Sequence, residues 1–449
     1  MLDDMAGVLR GGCSRAPAFM SASPAPLRCV CPDDRATTSL PSHHRLYQAR
    51  LSTRHPLPRR CRLIATADGA PPAASEAASP SPAASSDEPA FELGPGVAAL
   101  AGSLPLDGDA PLPGAPKPVL RYMPSLSPED PIIAALTTIC GATTVSGLTL
   151  MDSRWNGNEA FRADTDVGRF FIKLNRVEST TVFMSEAVGL VALEKTQTLP
   201  VPRPLHVGAL PRVGDYGPGA FMILTYLELM PFGANRPDVQ RALAAGLAAL
   251  HADTTHADVH QERFGFSTNN FHSLTPQDNR WVDDWPSFFA RRMAAQIGGV
   301  YKEKSYGRAP VPVTDDTLLV RGREIVHRIK AGRWFEGIAD TLRPSLLHGA
   351  LWIGNTGAVS GDGTRPVVFD PACFFGHAEA DLALCRLYGG FSDADFWAVY
   401  HAALPRAAGF DARAKLYDLH ERLNQLNLFG DPAVKAECEV LMEQLLADE

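Results

Sequence analysis

Three features that the chain lacks limit what it can be. Its 449 residues contain no run of eighteen apolar residues, so the sequence predicts no membrane-spanning helix. Its eight cysteines form no C-x-x-C pair, which is the usual signature of a structural zinc site. It has no basic excess either, because the net charge is -8, and this argues against binding nucleic acid through a broad basic surface. We therefore expect neither a membrane nor nucleic acid among its partners.

The N-terminal segment differs from the rest of the chain in charge. Residues 1–64 contain ten arginines, four aspartates and no lysine, a net charge of about +6, and they lack the apolar core of a secretory signal. Arg-rich, Ser-rich and acid-poor composition is typical of organelle transit peptides. We expect residues 1–67 to be a transit peptide and favour a chloroplast or other plastid destination over a mitochondrion. A plain disordered tail is the further alternative.

Downstream composition predicts a linker and two lobes. Residues 68–118 are rich in Ala, Pro and Ser and cannot bury enough apolar surface to fold, so a disordered linker is expected. Residues 119–230 alternate strand-like segments with one helix, whereas residues 231–449 turn helical. The predicted class is α+β, with a small β-rich N-lobe followed by a larger α-helical C-lobe.

Local patterns predict the individual elements. A helix is expected to begin near residues 127–130, a polar turn joins strands at 161–164 and 168–174, and the apolar run 221–227 is a buried strand. Helices are predicted over 182–195, 284–297, 315–331, 393–404, 411–425 and 432–447. A further helix is predicted after Pro231, with Asp238 just inside its start and Leu243, Leu247 and Leu250 on one face.

One segment of the C-lobe carries a phosphotransferase pattern. The stretch His348-Gly349-Ala350-Leu351-Trp352-Ile353-Gly354-Asn355 is followed fifteen positions after Asn355 by Asp370. Kinase loops read H-R-D-L-x-x-x-N, in which the Asp accepts the proton of the substrate hydroxyl and the Asn holds a magnesium ion. Ala350 stands where that Asp is expected. Asn355 and Asp370 offer the hard oxygen ligands that Mg²⁺ prefers, with a hairpin predicted between them.

Lys173 is the candidate that binds the ATP phosphates. It lies on a predicted strand between apolar residues, and Glu186 follows thirteen positions later on the next predicted helix. A kinase needs a lysine for the α- and β-phosphates and an acid that holds it. The alternative is a solvent-facing lysine on an edge strand, but the downstream loop favours the Lys173–Glu186 pair.

From about residue 128 to 447 the chain resembles the fructosamine/ketosamine 3-kinase family, relatives of the aminoglycoside phosphotransferases. The resemblance implies a protein-kinase-like fold, in which the N-lobe binds ATP and the C-lobe holds the substrate and the catalytic loop. It also implies ATP-dependent phosphorylation of the 3-hydroxyl of ketosamines, after which the adduct decomposes and frees the amine. The implied partners are ATP and glycated protein amines or small ketosamines, with no oligomeric state implied. Plant-type members resemble protein-ribulosamine 3-kinases, which suits a transit peptide. The similar motifs are Gly168–Asn175, Val201–Pro204, Asn279–Trp281, Asp284–Trp285, Phe288–Phe289, His348–Asn355, Val367–Ala372, Phe375–Ala383, Leu387–Phe391 and Asn427–Gly430.

The chain departs from the family pattern in three places. The first is Ala350. The second is the loop over the phosphates, Met151–Ala160, where only Gly157 remains and Asn156 is a nucleotide-binding candidate. The third is Thr225, where members often have Glu. Adenine recognition through backbone groups of the next residues, Tyr226 and Leu227, survives that change.

The missing Asp predicts an impaired enzyme. A positioned base contributes about 10²–10⁴-fold, and kinases turn over at about 1–100 s⁻¹, so about 10⁻⁴ to 1 s⁻¹ would remain. The alternative is a pseudokinase that binds Mg-ATP or a ketosamine without significant turnover. We favour His348 as a brace for the loop over a replacement base, and Glu379 and Asp381 as loop-orienting acids. Trp352 is the best candidate for packing on the sugar, although it could be a core aromatic.

Overall fold

The described part of the chain consists of a β-rich half followed by a helical half. The computed structural model describes residues 124–153, 158–176, 179–213, 217–231, 236–300, 317–360 and 363–447. The predicted transit peptide, the linker and Asn156 lie outside the described residues, so these predictions and the exact lobe boundaries stay predictions. The predicted α+β class with a β-rich lobe before a helical lobe is confirmed by the order of the elements.

The N-lobe is built on one antiparallel sheet of five strands, in which the first three strands lie side by side in chain order and the fifth lies between the third and the fourth. Phe221 and Ile223 of the fifth strand pack on one face, while Met222 and Leu224 pack on the other. A continuous apolar run is therefore buried on both faces, as expected of a central strand. The strand ends at Thr225, two residues earlier than predicted. The strands are β1 Val145–Ser153, β2 Asn158–Thr165, β3 Gly168–Asn175, β4 Pro204–Leu210 and β5 Gly219–Thr225.

Two helices cover the faces of this sheet. Helix α1, Pro131–Thr138, begins where predicted, because the Asp130 carboxylate accepts the N–H of Ile132 at 3.0 Å and proline occupies the first turn. It packs Ile132 and Leu136 against one face. Helix α2, Thr180–Thr196, covers the opposite face and confirms the predicted helix at 182–195. Its position brings Glu186 beneath β3.

The C-lobe is helical, and its core packs the helices Trp285–Val300, Thr317–Lys330, Phe410–Phe429 and Pro432–Ala447 together with the 3₁₀ turn Glu336–Ile338. The predicted helices are present, but the segment 393–404 begins with a π-helical turn, Asp393–Trp397, before it becomes α-helical. No helix within the described ranges is long and apolar enough to cross a membrane. The helices are α3 Pro237–Ala252, α4 Ala257–His260, α5 Trp285–Val300, α6 Thr317–Lys330, α7 Ala383–Tyr388, α8 Ala398–Ala403, α9 Phe410–Phe429 and α10 Pro432–Ala447.

Short strands position the catalytic segment. The predicted hairpin between Asn355 and Asp370 is confirmed by two paired strands, Thr356–Val359 and Pro366–Val368. The first of them also pairs with Leu229–Pro231, the strand that follows the N-lobe sheet along the chain. A second antiparallel pair brackets the loop that contains Ala350. These strands are β6 Leu229–Pro231, β9 Ser345–Leu347, β10 Thr356–Val359, β11 Pro366–Val368 and β12 Phe374–Gly376, and a separate pair is β7 Asn270–His272 with β8 Thr275–Gln277.

Candidate active site

Lys173 and Glu186 form a buried ion pair between strand β3 and helix α2. The Lys173 Nζ donates to Glu186 Oε2 at 2.7 Å, and Lys173 is only 8% exposed. The ammonium also lies 5.7 Å from the centre of the Phe183 ring. A solvent-facing lysine is therefore the wrong interpretation. A lysine held in this way presents a fixed point charge, which is what phosphate binding needs.

Asp370 brings a second carboxylate to the same ammonium. Its Oδ1 lies 3.1 Å from Lys173 Nζ, across 197 positions of sequence. Asp370 follows β11 and has φ of +56°, a left-handed conformation that Asp tolerates better than most residues. The structure thus brings Lys173, Glu186 and Asp370 together.

Asn355 lies beside Asp370 in an orientation that suits a metal ligand. Its Nδ2 donates to the carbonyl of Ala350 at 2.9 Å and reaches that of Asp370 at 3.4 Å. The N–H of Phe369 donates to the Asn355 carbonyl at 3.1 Å and closes the hairpin. Because backbone oxygens occupy the amide N–H groups, the side-chain Oδ1 is the atom left for a cation. Asn355 Oδ1 and the Asp370 carboxylate are hard oxygens, and Mg²⁺ commonly takes one or two protein ligands besides water and phosphate.

The described ranges contain no group of three or more His, Cys, Asp or Glu that could hold a metal ion. A site that the protein would close entirely by itself is therefore not found in these ranges. The residues present fit a magnesium ion that arrives with a nucleotide, since phosphate oxygens complete such a site.

Asp381 fixes the loop that contains Ala350. Its two carboxylate oxygens accept the backbone N–H groups of His348 at 2.7 Å and Gly349 at 2.8 Å, and His251 Nε2 lies 3.2 Å away. Burial acts to raise the pKa of Asp381, but the hydrogen bonds from the His251 ring and from the His348 backbone help to outweigh it, and this pKa lies below its ordinary value. The carboxylate is therefore ionised at neutral pH and holds the loop, in agreement with the expected orienting role.

Gly349 is required by this geometry. Its φ is +74°, and a Cβ there would overlap the carbonyl oxygen of Ala372. Only glycine allows the two backbone segments to approach this closely without strain.

Ala350 offers no proton acceptor, and His348 does not replace one. Ala350 is 6% exposed, and its N–H donates to His348 Nδ1 at 3.3 Å. Because Nδ1 accepts, the proton of a neutral His348 lies on Nε2. Burial lowers the pKa of His348, which is 1% exposed, so the ring is neutral. This arrangement supports a bracing role for His348.

Of the tryptophan candidates, Trp285 lies in the core and Trp352 is partly exposed. Trp285 is 1% exposed and stacks on Phe288 and Phe289, so it is a core residue. Trp352 is half-buried, lies against Gly354, and has its ring centre 5.2 Å from that of Tyr388. It lies next to the loop with a partly exposed face, so it remains the candidate for sugar packing.

The hinge candidates Tyr226 and Leu227 are half-buried and connect β5 to β6. Thr225 Oγ1 accepts the N–H of Arg203 at 2.9 Å, and the guanidinium of Arg169 lies 6.0 Å from the Tyr226 ring centre. Strand β6 pairs with β10, so the hinge is tied to the hairpin that carries Asn355.

Sequence reasoning missed three polar partners in the C-lobe. His251 joins Asp381 to Tyr400, whose hydroxyl lies 2.7 Å from His251 Nδ1. Arg413, 0% exposed, forms a bidentate pair with Glu379 at 2.7 and 2.8 Å. Glu379 is therefore occupied by an arginine and does not orient the loop, which corrects the expectation. The only sequence signal for Arg413 was that this polar residue lies on the apolar face of its helix.

Arg292 is a further residue that the sequence did not single out. It is 5% exposed, and its guanidinium lies 5.1 and 4.6 Å from the ring centres of Phe288 and Phe374. Burial lowers its pKa to about 9. It lines a cavity of about 30 Å³ that reaches Gly349 and has room for a water-sized group. The guanidinium also donates to the side-chain oxygen of Asn279, so Arg292 is a buried and hydrogen-bonded cation near the catalytic loop.

These elements define a kinase-like phosphotransferase: a β-rich lobe with a Lys–Glu pair, and a helical lobe whose loop and hairpin hold an Asn and an Asp beside it. The sequence model of the Fructosamine kinase family matches residues 153–448, well over half of the chain. The chain belongs to the fructosamine kinase family.

Individual proteins agree with this assignment. The chain is 34% identical over 319 residues to the chloroplastic protein-ribulosamine 3-kinase of Arabidopsis thaliana, covering 70% of this chain and 87% of that protein. It is 30% identical over 292 residues to the ketosamine-3-kinase of Mus musculus, covering 60% of this chain and 85% of that protein. The crystal structure of a candidate fructosamine-3-kinase from Haemophilus somnus 129PT superposes with a TM-score of 0.56 at 24% identity, covering 70% of this chain and 96% of that one. The last comparison confirms the predicted protein-kinase-like fold.

Proposed function

We propose that this protein is an ATP-dependent kinase that phosphorylates the 3-hydroxyl of ketosamines, as ribulosamine or fructosamine adducts of protein amines or as small ketosamines. Its role would be protein deglycation. The observation that carries the proposal is the Lys173 ammonium between Glu186 and Asp370, with Asn355 adjacent. The names of the Arabidopsis and mouse relatives support the substrate class.

In this proposal the nucleotide lies between the lobes. Lys173 would bind the α- and β-phosphates, and Asn355 Oδ1 with the Asp370 carboxylate would hold Mg²⁺. The bound ion supplies charge neutralisation for the transferred phosphoryl group. Backbone groups of Tyr226 and Leu227 would bind adenine, and Asn156 stays a candidate for the phosphate loop. Trp352 would pack on the sugar.

The chemical step would proceed without a protein carboxylate at position 350. The substrate oxygen forms a bond to the γ-phosphorus, the bond from this phosphorus to the β–γ bridging oxygen breaks, and ADP leaves. The hydroxyl proton passes to water or to a phosphate oxygen. Phosphoryl transfer relies mainly on positioning and charge neutralisation, so the absence of a base lowers the turnover rate by about 10²–10⁴-fold and does not abolish turnover. The bonds from Asp381 to His348 and Gly349 keep the loop in position for this step.

We also propose a plastid location. The Arg-rich, acid-poor N-terminal segment supports it, and so does the chloroplastic relative from Arabidopsis.

The test measures phosphorylation of ribulose-lysine by the purified full chain with Mg-ATP, with the product detected by mass spectrometry. The parent should turn over slowly, and Ala350→Asp should be about 10²–10⁴-fold faster. Ala350→Asn is the matched control, because it has nearly the same size but no basic oxygen to take the proton. No turnover in the parent together with turnover in Ala350→Asp would indicate a pseudokinase. No turnover in either, with both proteins folded, would reject the ketosamine kinase assignment.

A further inference from the structure

A cavity of about 290 Å³ lies in the C-lobe, apart from the proposed catalytic centre. Its walls come from α3, α8, the segment 338–345, the segment 377–382 and the turn that leads into α9. Lys173, Asn355 and Asp370 do not line it. We propose that this cavity binds a small organic anion, an oxyanion head on an apolar or aromatic body, which goes beyond the proposed kinase function.

The positive charge at this cavity comes from Arg343 and Arg406. The nearest carboxylates recorded for them, Glu262 and Asp411, lie 3.8 and 3.9 Å away, and these side chains are all at least half exposed, from 55% to 90%. Arg343 also donates to the carbonyl of Leu342 at 2.9 Å. Ion pairs this long and exposed contribute little, so the remaining N–H groups of either guanidinium can turn to a ligand at small cost. Guanidinium groups bind carboxylate or phosphate oxygens in bidentate fashion.

The acid in the lining does not cancel this charge. Among the described lining residues Glu379 is the only carboxylate. Arg413 satisfies both of its oxygens, at 2.7 and 2.8 Å. The lining therefore presents a net positive surface to a ligand.

The inner wall contains a neutral N–H donor on His377. Trp285 Nε1 can only donate, and it lies 3.0 Å from the hydroxyl of Tyr417. The Tyr417 oxygen therefore accepts, and its own proton goes to His377 Nδ1 at 2.7 Å. In this arrangement the ring proton of His377 lies on Nε2. We propose that this N–H is a donor to the ligand oxyanion besides the two arginines.

The rest of the lining is apolar and sets the size of the ligand body. Ile338, Leu342, Leu404 and Phe410 line the cavity, and the Arg406 guanidinium lies 4.7 Å from the Phe410 ring centre. The volume is at the low end of small-molecule pockets, which are about 300–1,000 Å³. An aliphatic or single-ring acid is therefore the class that fits.

The binding test titrates the full chain calorimetrically with 3-phenylpropionate and phenyl phosphate, which share the apolar ring and differ in the anionic head. Their relative affinities identify the preferred head. Inorganic phosphate lacks the body and 3-phenylpropan-1-ol lacks the charge, so both should bind at least about tenfold more weakly than the better anion.

Two variants examine whether binding occurs in this cavity. Arg343→Gln combined with Arg406→Gln should weaken the better anion by about tenfold or more. Ala407→Trp, at an exposed lining position, should weaken it by filling space while the charge stays. Arg203→Gln, an exposed arginine 3.4 Å from Glu194 on the N-lobe, is the matched control and should bind like the parent.

The proposal is overturned if neither aromatic anion binds at millimolar concentration, or if the double arginine variant binds as tightly as the parent. If 3-phenylpropan-1-ol binds as tightly as the better anion, the ligand does not need an anionic head and the proposal is wrong. If inorganic phosphate binds as tightly as the better anion, the ligand does not need an apolar body and the proposal is again wrong.

Discussion

Lys173 Nζ and Asp370 Oδ1 lie 3.1 Å apart, so the N-lobe sheet and the C-lobe hairpin meet in a direct ion pair. The same ammonium contacts Glu186 at 2.7 Å. A magnesium ion at Asp370 would compete with Lys173 for that carboxylate, and phosphate would compete with Asp370 for Lys173. Binding of Mg-ATP would therefore replace the contact between Lys173 and Asp370 by contacts of Lys173 with phosphate and of Asp370 with Mg²⁺.

Replacing Lys173 should weaken nucleotide binding. In Lys173→Met two carboxylates remain close together without the ammonium, and the phosphates lose their point charge. We expect the affinity for Mg-ATP to fall at least about tenfold, and stability to fall by about 3–5 kcal/mol because a buried pair is broken. Calorimetric titration with Mg-ATP and thermal unfolding measure the two effects. Lys330→Met, at the exposed end of α6, should change neither.

Replacing Asp370 should weaken the binding of Mg²⁺ in the nucleotide complex. Asp370→Asn keeps a residue that tolerates the left-handed backbone but removes the charge, so the Mg²⁺ dependence of turnover should shift to higher concentration. We expect a loss of at least about a hundredfold at saturating ATP, measured in the Ala350→Asp background where turnover is faster. Asp340→Asn, an exposed aspartate, is the control. Unchanged Mg²⁺ dependence in Asp370→Asn would remove this residue from the metal site.

Sequence periodicity anticipated the elements that carry the site. The apolar neighbours of Lys173 indicated a strand, and the Ala-, Leu- and Glu-rich segment 182–195 indicated the helix that carries Glu186. The turn-rich residues between Asn355 and Asp370 indicated a hairpin. These are local signals, in which one segment determines its own structure.

The missed features depend on pairing across the fold. His251 and Asp381 are 130 positions apart, and nothing in either segment indicates the other. Likewise, nothing in the sequence around Arg413 in the middle of α9 indicates that Glu379, 34 positions away, is the acid that pairs with it. The π turn before α8 arises because the Ser392 carbonyl accepts from both Phe396 and Trp397, a detail too fine for periodicity.

Gly349 should not tolerate even alanine. Its φ is +74° and a Cβ would overlap the Ala372 carbonyl, so Gly349→Ala must shift the loop away from Asp381. We expect a stability loss of about 1–3 kcal/mol in thermal unfolding and a further fall in turnover. Gly298→Ala is the matched control, because a Cβ at this helical position meets nothing within 4 Å. It should be neutral or stabilising by about 0.5–1 kcal/mol.

The pH dependence of stability should report on His377. Burial lowers the pKa of His377 to about 3, whereas an unfolded histidine has a pKa of about 6.5. Between these values the unfolded state binds one more proton, so the free energy of unfolding falls as the pH falls from about 6.5 towards 3. The contribution of His377 alone reaches about 1.4 kcal/mol per pH unit.

His377→Gln should therefore flatten the pH profile while leaving a slope from other buried histidines such as His348, whose pKa burial also lowers. Denaturant unfolding between about pH 4.5 and 7 measures the slopes of parent and variant. The slope is the readout because it does not depend on how well glutamine accepts the Tyr417 hydroxyl at neutral pH. His327→Gln, on the exposed face of α6, should keep the parent slope. Identical slopes in His377→Gln and the parent would mean that His377 takes up its proton in the folded protein as readily as in the unfolded chain.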